Sequence, residues 1–242
     1  MNIQTVFERT EKKYILTLSQ RSKLISAIRE YISEDEYGES TICSLYFDTD
    51  NFQMIRSSVE KPIYKEKLRL RSYSTPKHDS NVFLELKKKY NGVVYKRRRT
   101  LTYDSAMNYI DHGVLPDDSQ IMREIDWTMK YYRGLKPKMF IAYDRTAYYS
   151  NTDRQLRITF DRNVRFRDTE LDLANGSFGE VILDRSLCIM EIKALKAMPL
   201  WLTETLDKLG IFPGSFSKYG TAYQITEERK NNALYKGGKN CA

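Results

Sequence analysis

The segment IYKEKLRLRSY (63–73) alternates cations with mostly apolar residues, and this alternation decides the fold class. Successive side chains of a β-strand point to opposite faces, so the cations lie on one face and Leu68 and Leu70 on the other. Because the apolar face can pack against helices, the pattern predicts a half-buried strand. The cations on its basic face are Lys65, Lys67, Arg69 and Arg71.

Two further segments repeat this pattern, NVFLELKKKY (81–90) and VVYKRRRTLTY (93–103). The Asn91-Gly92 pair between them is a strong hairpin signal, so we expect two antiparallel neighbours. One face of the first segment carries Phe83, Glu85, Lys87 and Lys89, and the second segment places Lys96 and Arg98 on one face, Arg97 and Arg99 on the other.

The rest of the chain predicts more strands and several helices. Strands are expected at residues 3–16, 44–48, 138–150, 154–166 and 185–195. Helices are expected after an N-cap at Ser19 and at residues 104–112, 118–133 and 199–209. The result is a mostly antiparallel α+β fold, with a single domain over residues 1–228 and a flexible tail over 229–242.

Composition narrows the function classes. The chain has 242 residues, with 40 Lys and Arg against 32 Asp and Glu, a formal charge of +8 that makes an anionic partner plausible. It has no apolar run of the ~18–20 residues needed to cross a bilayer, and its start lacks the apolar core of a signal peptide. Three widely spaced cysteines, an odd number, favour a reduced compartment, so we expect a cytoplasmic protein.

The rows of cations allow two interpretations. Cations two apart on a strand lie ~7 Å apart, a repulsion of roughly 0.6 kcal/mol in water and ~2.4 kcal/mol at an effective dielectric of 20. On an open surface such rows are simply solvated, whereas inside a curled sheet they need an anion or carboxylates for compensation. The few acids on these faces, Glu11, Glu85 and Glu191, could hold a divalent cation, so the complementary ligand is a polyphosphate chain with its metal.

An ordered set of motifs resembles the VTC domain, the catalytic domain of the vacuolar transporter chaperone polyphosphate polymerase. The motifs are ERTEKKY (8–14), SLYFDT (44–49), KLRLRSY (67–73), FLELKKK (83–89), VYKRRR (94–99), AYDRTAY (142–148), LRITFD (156–161), IMEIK (189–193) and FSKY (216–219). That family belongs to the CYTH-like triphosphate tunnel metalloenzymes. The resemblance implies an eight-stranded antiparallel β-barrel with helices on its outside, a tunnel that binds ATP and polyphosphate, and motifs that lie on strands.

The resemblance also implies roles for individual residues. The residues expected to act in catalysis are Arg69, Arg71, Lys87, Arg145 and Glu191. Those expected to bind phosphate are Lys13, Lys67, Lys96, Arg98, Arg157, Lys193, Ser217 and Lys218. Glu191 matches the metal-coordinating glutamate, with Mn²⁺ or Mg²⁺ as the expected ion, and Glu11 and Glu85 are weaker candidates that could instead orient lysines.

The expected reaction is transfer of the γ-phosphate of ATP to a growing inorganic polyphosphate chain. Hydrolysis of tripolyphosphate or of a nucleoside triphosphate is the alternative, and a non-catalytic polyphosphate-binding module is a third. The wider superfamily opens with E-x-E-x-K where this chain has Arg9, Glu11 and Lys13, which favours the polymerase. Eukaryotic members have a basic residue three before Lys218, where this chain has Ser215.

The expected partners are ATP and inorganic polyphosphate or pyrophosphate. The chain has no RNP-like motif, so nucleic acid is not expected despite the basic charge. Walker and G-x-G-x-x-G phosphate loops are also absent from the sequence. A membrane partner protein is compatible with the family, and the sequence leaves the oligomeric state open.

Overall fold

The computed structural model describes residues 10–60, 62–91, 93–195 and 197–237. These residues form eleven strands and six helices, and the strand ladders are antiparallel. The expected α+β class and antiparallel pairing are therefore confirmed. The first part of the predicted strand at 3–16, including Arg9, lies outside the described residues, as does Cys241.

The elements have the following bounds. The strands are β1 (Thr10–Thr17), β2 (Ile32–Glu34), β3 (Ser40–Asp48), β4 (Tyr64–Tyr73), β5 (Asn81–Tyr90), β6 (Val93–Thr102), β7 (Lys136–Ser150), β8 (Arg157–Arg167), β9 (Glu180–Val181), β10 (Leu187–Ala194) and β11 (Pro213–Gly214). The helices are α1 (Leu18–Ile28), α2 (Gln53–Val59), α3 (Tyr103–His112), α4 (Gln120–Tyr131), α5 (Leu200–Lys208) and α6 (Lys218–Gly237).

The expected closed barrel of eight strands is wrong for the part of the chain that the structure describes. Eleven strands join in the order β11-β1-β10-β8-β7-β3-β4-β5-β6, with β2 on β7 and β9 on β8. Eight of them are long, and the other three have only two or three residues, too few for a hydrophobic period to predict. The order ends at β6, whose run of four cations (residues 96–99) makes it a poor edge for further pairing.

The described residues fall into two compact units. Unit 1 comprises the described residues of Met1–Thr41, Tyr143–Val164 and Leu183–Phe216. Unit 2 comprises those of Ile42–Ala142, Arg165–Ile182 and Ser217–Ala242. The single domain over residues 1–228 stays a prediction, and so does the flexible tail. The tail overlaps the last turns of α6, and residues 238–242 are outside the described part.

Unit 1 places β1, β10 and β8 side by side. Alternate residues of these strands, such as Tyr14, Met190 and Phe160, are buried in a core with Leu24 of α1 and Leu202 of α5. The intervening residues share the opposite face, as the strand period requires. This face carries Glu11 and Lys13 of β1 and Glu191 and Lys193 of β10.

Unit 2 contains the ladder β3-β4-β5-β6. Leu68, Leu70, Leu84 and Leu86 alternate with the cations and are buried in a core that includes Tyr109 of α3 and Ile125 of α4, among other residues. Full burial of each leucine contributes about 1.5–3 kcal/mol, which fixes the register of β4 and β5. The cations of β4 therefore point to the face opposite α3 and α4.

Two local predictions were wrong. Helix α1 is capped by Thr17 rather than Ser19, because Thr17 accepts from the backbone N–H of Gln20 while the Gln20 side chain accepts from Thr17 N–H. The FSKY motif was expected on a strand, but α6 begins at Lys218, since the Ser217 hydroxyl accepts the backbone N–H of Gly220 at 3.1 Å. Within the described residues, no helix is long and apolar enough to span a membrane.

Candidate active site

One buried carboxylate organises the basic face of unit 2. Glu85 Oε2 accepts from Arg69 Nε at 2.7 Å, and Glu85 Oε1 accepts from Arg98 Nε at 2.6 Å. Lys96 Nζ lies 2.8 Å from Oε1, and Arg71 Nε lies 4.0 Å from Oε2. We call these five residues the Glu85 cluster. Four cations thus surround one carboxylate that is only 1% exposed, which leaves a large excess of positive charge.

Strand register explains this convergence. Arg69 on β4, Glu85 on β5 and Arg98 on β6 lie directly opposite one another in the ladder. The side chains of directly opposed residues are close, so the three strands deliver their charges to one point. Sequence alternation predicts the face of each residue, but the ladder alone shows that Glu85 lies between two arginines.

The next rung of the same ladder contains three lysines. Lys67, Lys87 and Lys96 lie directly opposite one another on β4, β5 and β6. Like charges that oppose each other across a sheet repel, and the contact of Lys96 with Glu85 compensates part of this repulsion. The rung extends the positive face of the Glu85 cluster along the strands.

Tyr46 on β3 continues the Glu85 cluster toward α6. Its hydroxyl accepts from Arg69 Nη1 at 3.0 Å, and its ring stacks on Tyr219 with centroids 4.7 Å apart. The Tyr219 hydroxyl donates to buried Asp48 at 2.9 Å, and Asp48 also accepts the Met54 and Ile55 backbone N–H groups at the start of α2. This chain of contacts fixes the first turn of α6, and with it Ser217 and Lys218.

The crowding of cations shifts the pKa values of this cluster. Burial opposes ionisation of Glu85, but Arg69, Arg71 and Lys96 outweigh it and hold its pKa well below the usual range. Burial lowers the pKa of Lys96 to about 8 against the opposing effect of Glu85. Burial raises the pKa of Tyr46, but Arg69, Arg71 and Lys67 together lower it to about 8. Lys96 and Tyr46 therefore titrate near physiological pH.

Cations on the other face of these strands have structural partners. Arg97 Nε donates to Glu124 of α4 at 2.8 Å, and Arg99 Nε donates to Asp117 at 2.7 Å. Arg97 thus lies beside Arg98 in sequence but pairs with a helix. These two arginines provide natural controls for the Glu85 cluster.

Unit 1 holds a second group of charges with a different balance. Lys193 Nζ lies 2.6 Å from Glu191 Oε1, and Lys13 Nζ lies 3.9 Å from Glu11 Oε1. Arg145 forms a bidentate pair with Asp161 at 2.6 and 2.8 Å. The cations and carboxylates of this Glu191 cluster are Glu11, Lys13, Arg145, Asp161, Glu191 and Lys193.

Strand register brings most of this cluster to one face. Lys13 lies opposite Glu191, and Glu11 lies opposite Lys193, on β1 and β10. Burial raises the pKa of Glu191, but Lys193, Lys13 and Arg145 outweigh it and lower the value to about 2. The carboxylate is therefore ionised at neutral pH although its side chain is only 12% exposed.

The remaining expected phosphate-binding residue of unit 1 is Arg157, opposite Lys193 in the ladder. Its Nη2 lies 3.2 Å from Asp35 Oδ2, and its guanidinium lies 5.0 Å from the Tyr149 ring centroid. Lys13 Nζ also donates to the carbonyl of Phe216, the first residue of the FSKY motif, at 3.4 Å. The structure thus places Arg157 and Lys13 on the charged face of unit 1.

The carboxylates differ in how well they suit a metal ion. Glu85 has both oxygens engaged by arginine and lysine, so its arrangement favours the orienting role over a metal role. Glu191 is ionised and contacts one lysine, and Mg²⁺ commonly takes one or two protein carboxylates together with substrate phosphates. In the described ranges, no group of three or more His, Cys, Asp or Glu is placed to hold a metal by itself. Glu191 therefore fits a metal that arrives with phosphate.

Sequence reasoning missed Asp161, Tyr46, Asp48 and Tyr219. Asp161 stands within the quoted LRITFD motif, where the alternating period puts it on the face of Arg157. Tyr46 is buried at 8% exposure, and its hydroxyl also contacts Arg69. Asp48 and Tyr219 are 171 residues apart, so no local pattern could have joined them.

Comparisons with known proteins now supply independent evidence. A family model described as the VTC domain matches residues 8–227. No curated protein sequence matches the chain significantly.

Two solved structures show the fold. A putative adenylate cyclase from Bacillus halodurans is similar at 15% identity, over 86% of this chain and 92% of that one, with a TM-score of 0.54. A putative adenylyl cyclase from Hippeastrum, described as having a dominant triphosphatase activity, is similar at 16% identity over 86% and 92% of the two chains, with a TM-score of 0.52. Because both structures are only 15–16% identical in sequence to this chain, the similarity shows the fold alone.

Proposed function

The chain belongs to the VTC domain family, and on this premise we propose that it transfers the γ-phosphate of ATP to a growing inorganic polyphosphate chain. In this reaction the bond between the γ-phosphorus and its bridging oxygen breaks, and a terminal phosphate oxygen of the acceptor forms the new bond. The products are ADP and a chain longer by one phosphate. The observation that carries the proposal is the Glu85 cluster, in which four cations share one buried carboxylate.

The Glu85 cluster supplies what phosphoryl transfer mainly requires. Such reactions depend on in-line positioning and on neutralisation of the charge spread over the phosphoryl oxygens. Arg69 and Arg98 each use Nε and one terminal nitrogen on Glu85, which fixes the orientation of both guanidinium groups. Pre-oriented guanidinium groups bind phosphate with little loss of side-chain freedom.

In unit 1, Arg145, Glu191 and two lysines are the residues proposed to act on phosphate and its metal. A divalent cation, Mn²⁺ or Mg²⁺, supplies Lewis-acid stabilisation of phosphoryl charge when bound. Glu191 would hold it, because this carboxylate stays ionised at neutral pH and has a lysine partner that can move to a phosphate oxygen. Arg145, oriented by Asp161, adds a fixed positive charge on the same unit.

Hydrolysis of tripolyphosphate or of a nucleoside triphosphate is the second candidate. The triphosphatase activity described for the Hippeastrum protein supports it, since that protein shares the fold. The difference between the reactions lies in the acceptor, which is water in one and an anionic phosphate chain in the other. The lysine rung of Lys67, Lys87 and Lys96 favours the chain, because it extends positive charge beyond the Glu85 cluster.

Product analysis with the purified protein tests the proposal. The protein is incubated with ATP and Mn²⁺ or Mg²⁺, with short polyphosphate or pyrophosphate as primer, and the products are resolved by ³¹P NMR and gel electrophoresis. We expect ADP together with long-chain polyphosphate. ADP with orthophosphate alone would establish the hydrolase, and tight polyphosphate binding without turnover would establish a binding module.

A further inference from the structure

Thr159 lies at the centre of the charged face of unit 1. It stands opposite Glu191 in the β8–β10 ladder, and two residues from Arg157 on the same strand face. Its neighbours in sequence, Ile158 and Phe160, point into the core. The Thr159 side chain therefore belongs to the same face as Glu191 and Arg157.

The Thr159 hydroxyl is buried but unused. The residue is only 3% exposed, and its Oγ1 has no hydrogen-bond partner among the described residues. A hydroxyl has one donor and two acceptor positions, and burying it without a partner is unfavourable. Buried polar groups without partners are rare, and a bound ligand is one of the few physical reasons for them.

The charges around Thr159 indicate what it would bind. Arg157 Nε is also buried, and it too lacks a hydrogen-bond partner within the described part of the chain. Lys193 lies opposite Arg157, and Lys13 lies opposite Glu191, so the face around Thr159 holds three cations together with the carboxylates of Glu191 and Asp161. Two unused donors among cations suit an anionic oxygen better than a cation.

We propose that the Thr159 hydroxyl donates a hydrogen bond to a phosphoryl oxygen of the bound phosphate chain. This rests on the proposed function in that the ligand is a phosphate chain, and it adds a positioning residue that the family motifs do not single out. The hydroxyl is held by a rigid strand next to Glu191. It therefore sets where one phosphate lies relative to that carboxylate.

The proposal predicts an unusual pair of effects for Thr159→Val. Valine has nearly the same shape and removes only the hydroxyl, so the ligand-free protein loses an unsatisfied group and its Tm rises by about 2–4 °C. Affinity for inorganic triphosphate falls about 10-fold or more, since a hydrogen bond to a charged group is lost. A hydroxyl with a structural partner would give the opposite shift in Tm.

The experiment measures triphosphate binding by titration calorimetry and Tm by scanning calorimetry in wild type, Thr159→Val and Thr159→Ser. Binding is measured in EDTA and again with Mg²⁺. Thr159→Ser keeps the hydroxyl and should stay within about 2-fold of wild type in affinity. The matched control is Thr128→Val in α4, where the buried hydroxyl donates to the Glu124 carbonyl at 3.0 Å. It should lower Tm or leave it unchanged, without weakening binding.

The outcomes separate this inference from the proposed function. Unchanged triphosphate affinity in Thr159→Val, or a lower Tm without ligand, overturns the role of Thr159. A loss of affinity seen only with Mg²⁺ would place the hydroxyl on the metal and also overturn it. Wild-type protein that binds triphosphate but never lengthens polyphosphate contradicts the polymerase and leaves the Thr159 result standing on its own.

Discussion

The two charged clusters differ in their balance of cations and carboxylates. In unit 2, four cations lie within 4.0 Å of Glu85. In the described part of unit 1, four cations each pair with a carboxylate, as Lys13–Glu11, Lys193–Glu191, Arg145–Asp161 and Arg157–Asp35. The Glu85 cluster, with four cations and one carboxylate, thus carries more excess positive charge than the paired residues of unit 1.

This contrast suggests that the two clusters have different roles in the reaction. An excess of cations around one carboxylate is stabilised by binding an anion, so the Glu85 cluster should control affinity for phosphate. A balanced cluster attracts anions less strongly than the Glu85 cluster and holds an ionised carboxylate, so Glu191 should control turnover. Variants of the two clusters should therefore change different quantities, affinity for the Glu85 cluster and turnover for Glu191.

Replacing Glu85 by Gln should destabilise the ligand-free protein by about 3–5 kcal/mol, because three close cations lose their buried counter-charge. Saturating triphosphate should restore much of this loss, since the ligand replaces the missing negative charge. Urea denaturation with and without triphosphate measures both effects. The matched control is Glu66→Gln, which removes a buried carboxylate paired with Lys88 at 3.3 Å. Equal rescue of both variants would refute the anion role of the Glu85 cluster.

Arg69→Ala should weaken triphosphate binding by about 100-fold, because Arg69 provides a charge-assisted, pre-oriented donor pair. Arg97→Ala serves as control, since Arg97 pairs with Glu124 on the other face of β6. Titration calorimetry compares the two variants. A similar loss of triphosphate affinity in both variants would mean that these arginines act only through the net positive charge of the protein and not through a specific site.

Glu191→Gln should lower metal-dependent turnover at least 10-fold while triphosphate affinity without metal stays within about 3-fold of wild type. The amide keeps the size of the side chain and removes the negative charge. Steady-state kinetics with ATP and Mn²⁺, together with calorimetry in EDTA, separates the two quantities. Synthesis at the wild-type rate would show that the metal assignment of Glu191 is wrong.

The affinity for inorganic triphosphate should fall about 3-fold or more as the pH rises from 7 to 9. The pKa values of Lys96 and Tyr46 are both about 8, so above this pH Lys96 loses its positive charge and Tyr46 gains a negative one. Both changes reduce the net positive charge of the cluster. The double variant Lys96→Arg with Tyr46→Phe should have a flat affinity profile over this range. A profile that keeps the wild-type slope would exclude these groups as its cause.

The sequence predicted the local features well because they repeat with a short period. Alternation over β4, β5 and β6 indicated which cations share a face, and it separated Arg98 from Arg97 correctly. Cys43 and Cys188 lie in apolar strand contexts, and both are buried free thiols in the structure.

The rest depends on pairing between distant segments. That Glu85 lies between Arg69 and Arg98 follows from strand register, which the hairpin signal left open by a residue or more. The start of α6 depends on the Ser217 cap and on Tyr219 bonded to Asp48, and alternation cannot show either. Three strands of two or three residues were too short to predict, so the expected number of strands was too low.

A crystal structure of the protein with inorganic triphosphate would show whether the Glu85 cluster binds phosphate. We expect phosphate oxygens within hydrogen-bond distance of Arg69, Arg71 and Lys87, at the Glu85 cluster and along the lysine rung. Triphosphate bound instead at another basic surface, such as Lys136 and Lys138 beside Asp50, with the Glu85 cluster unchanged, would contradict it.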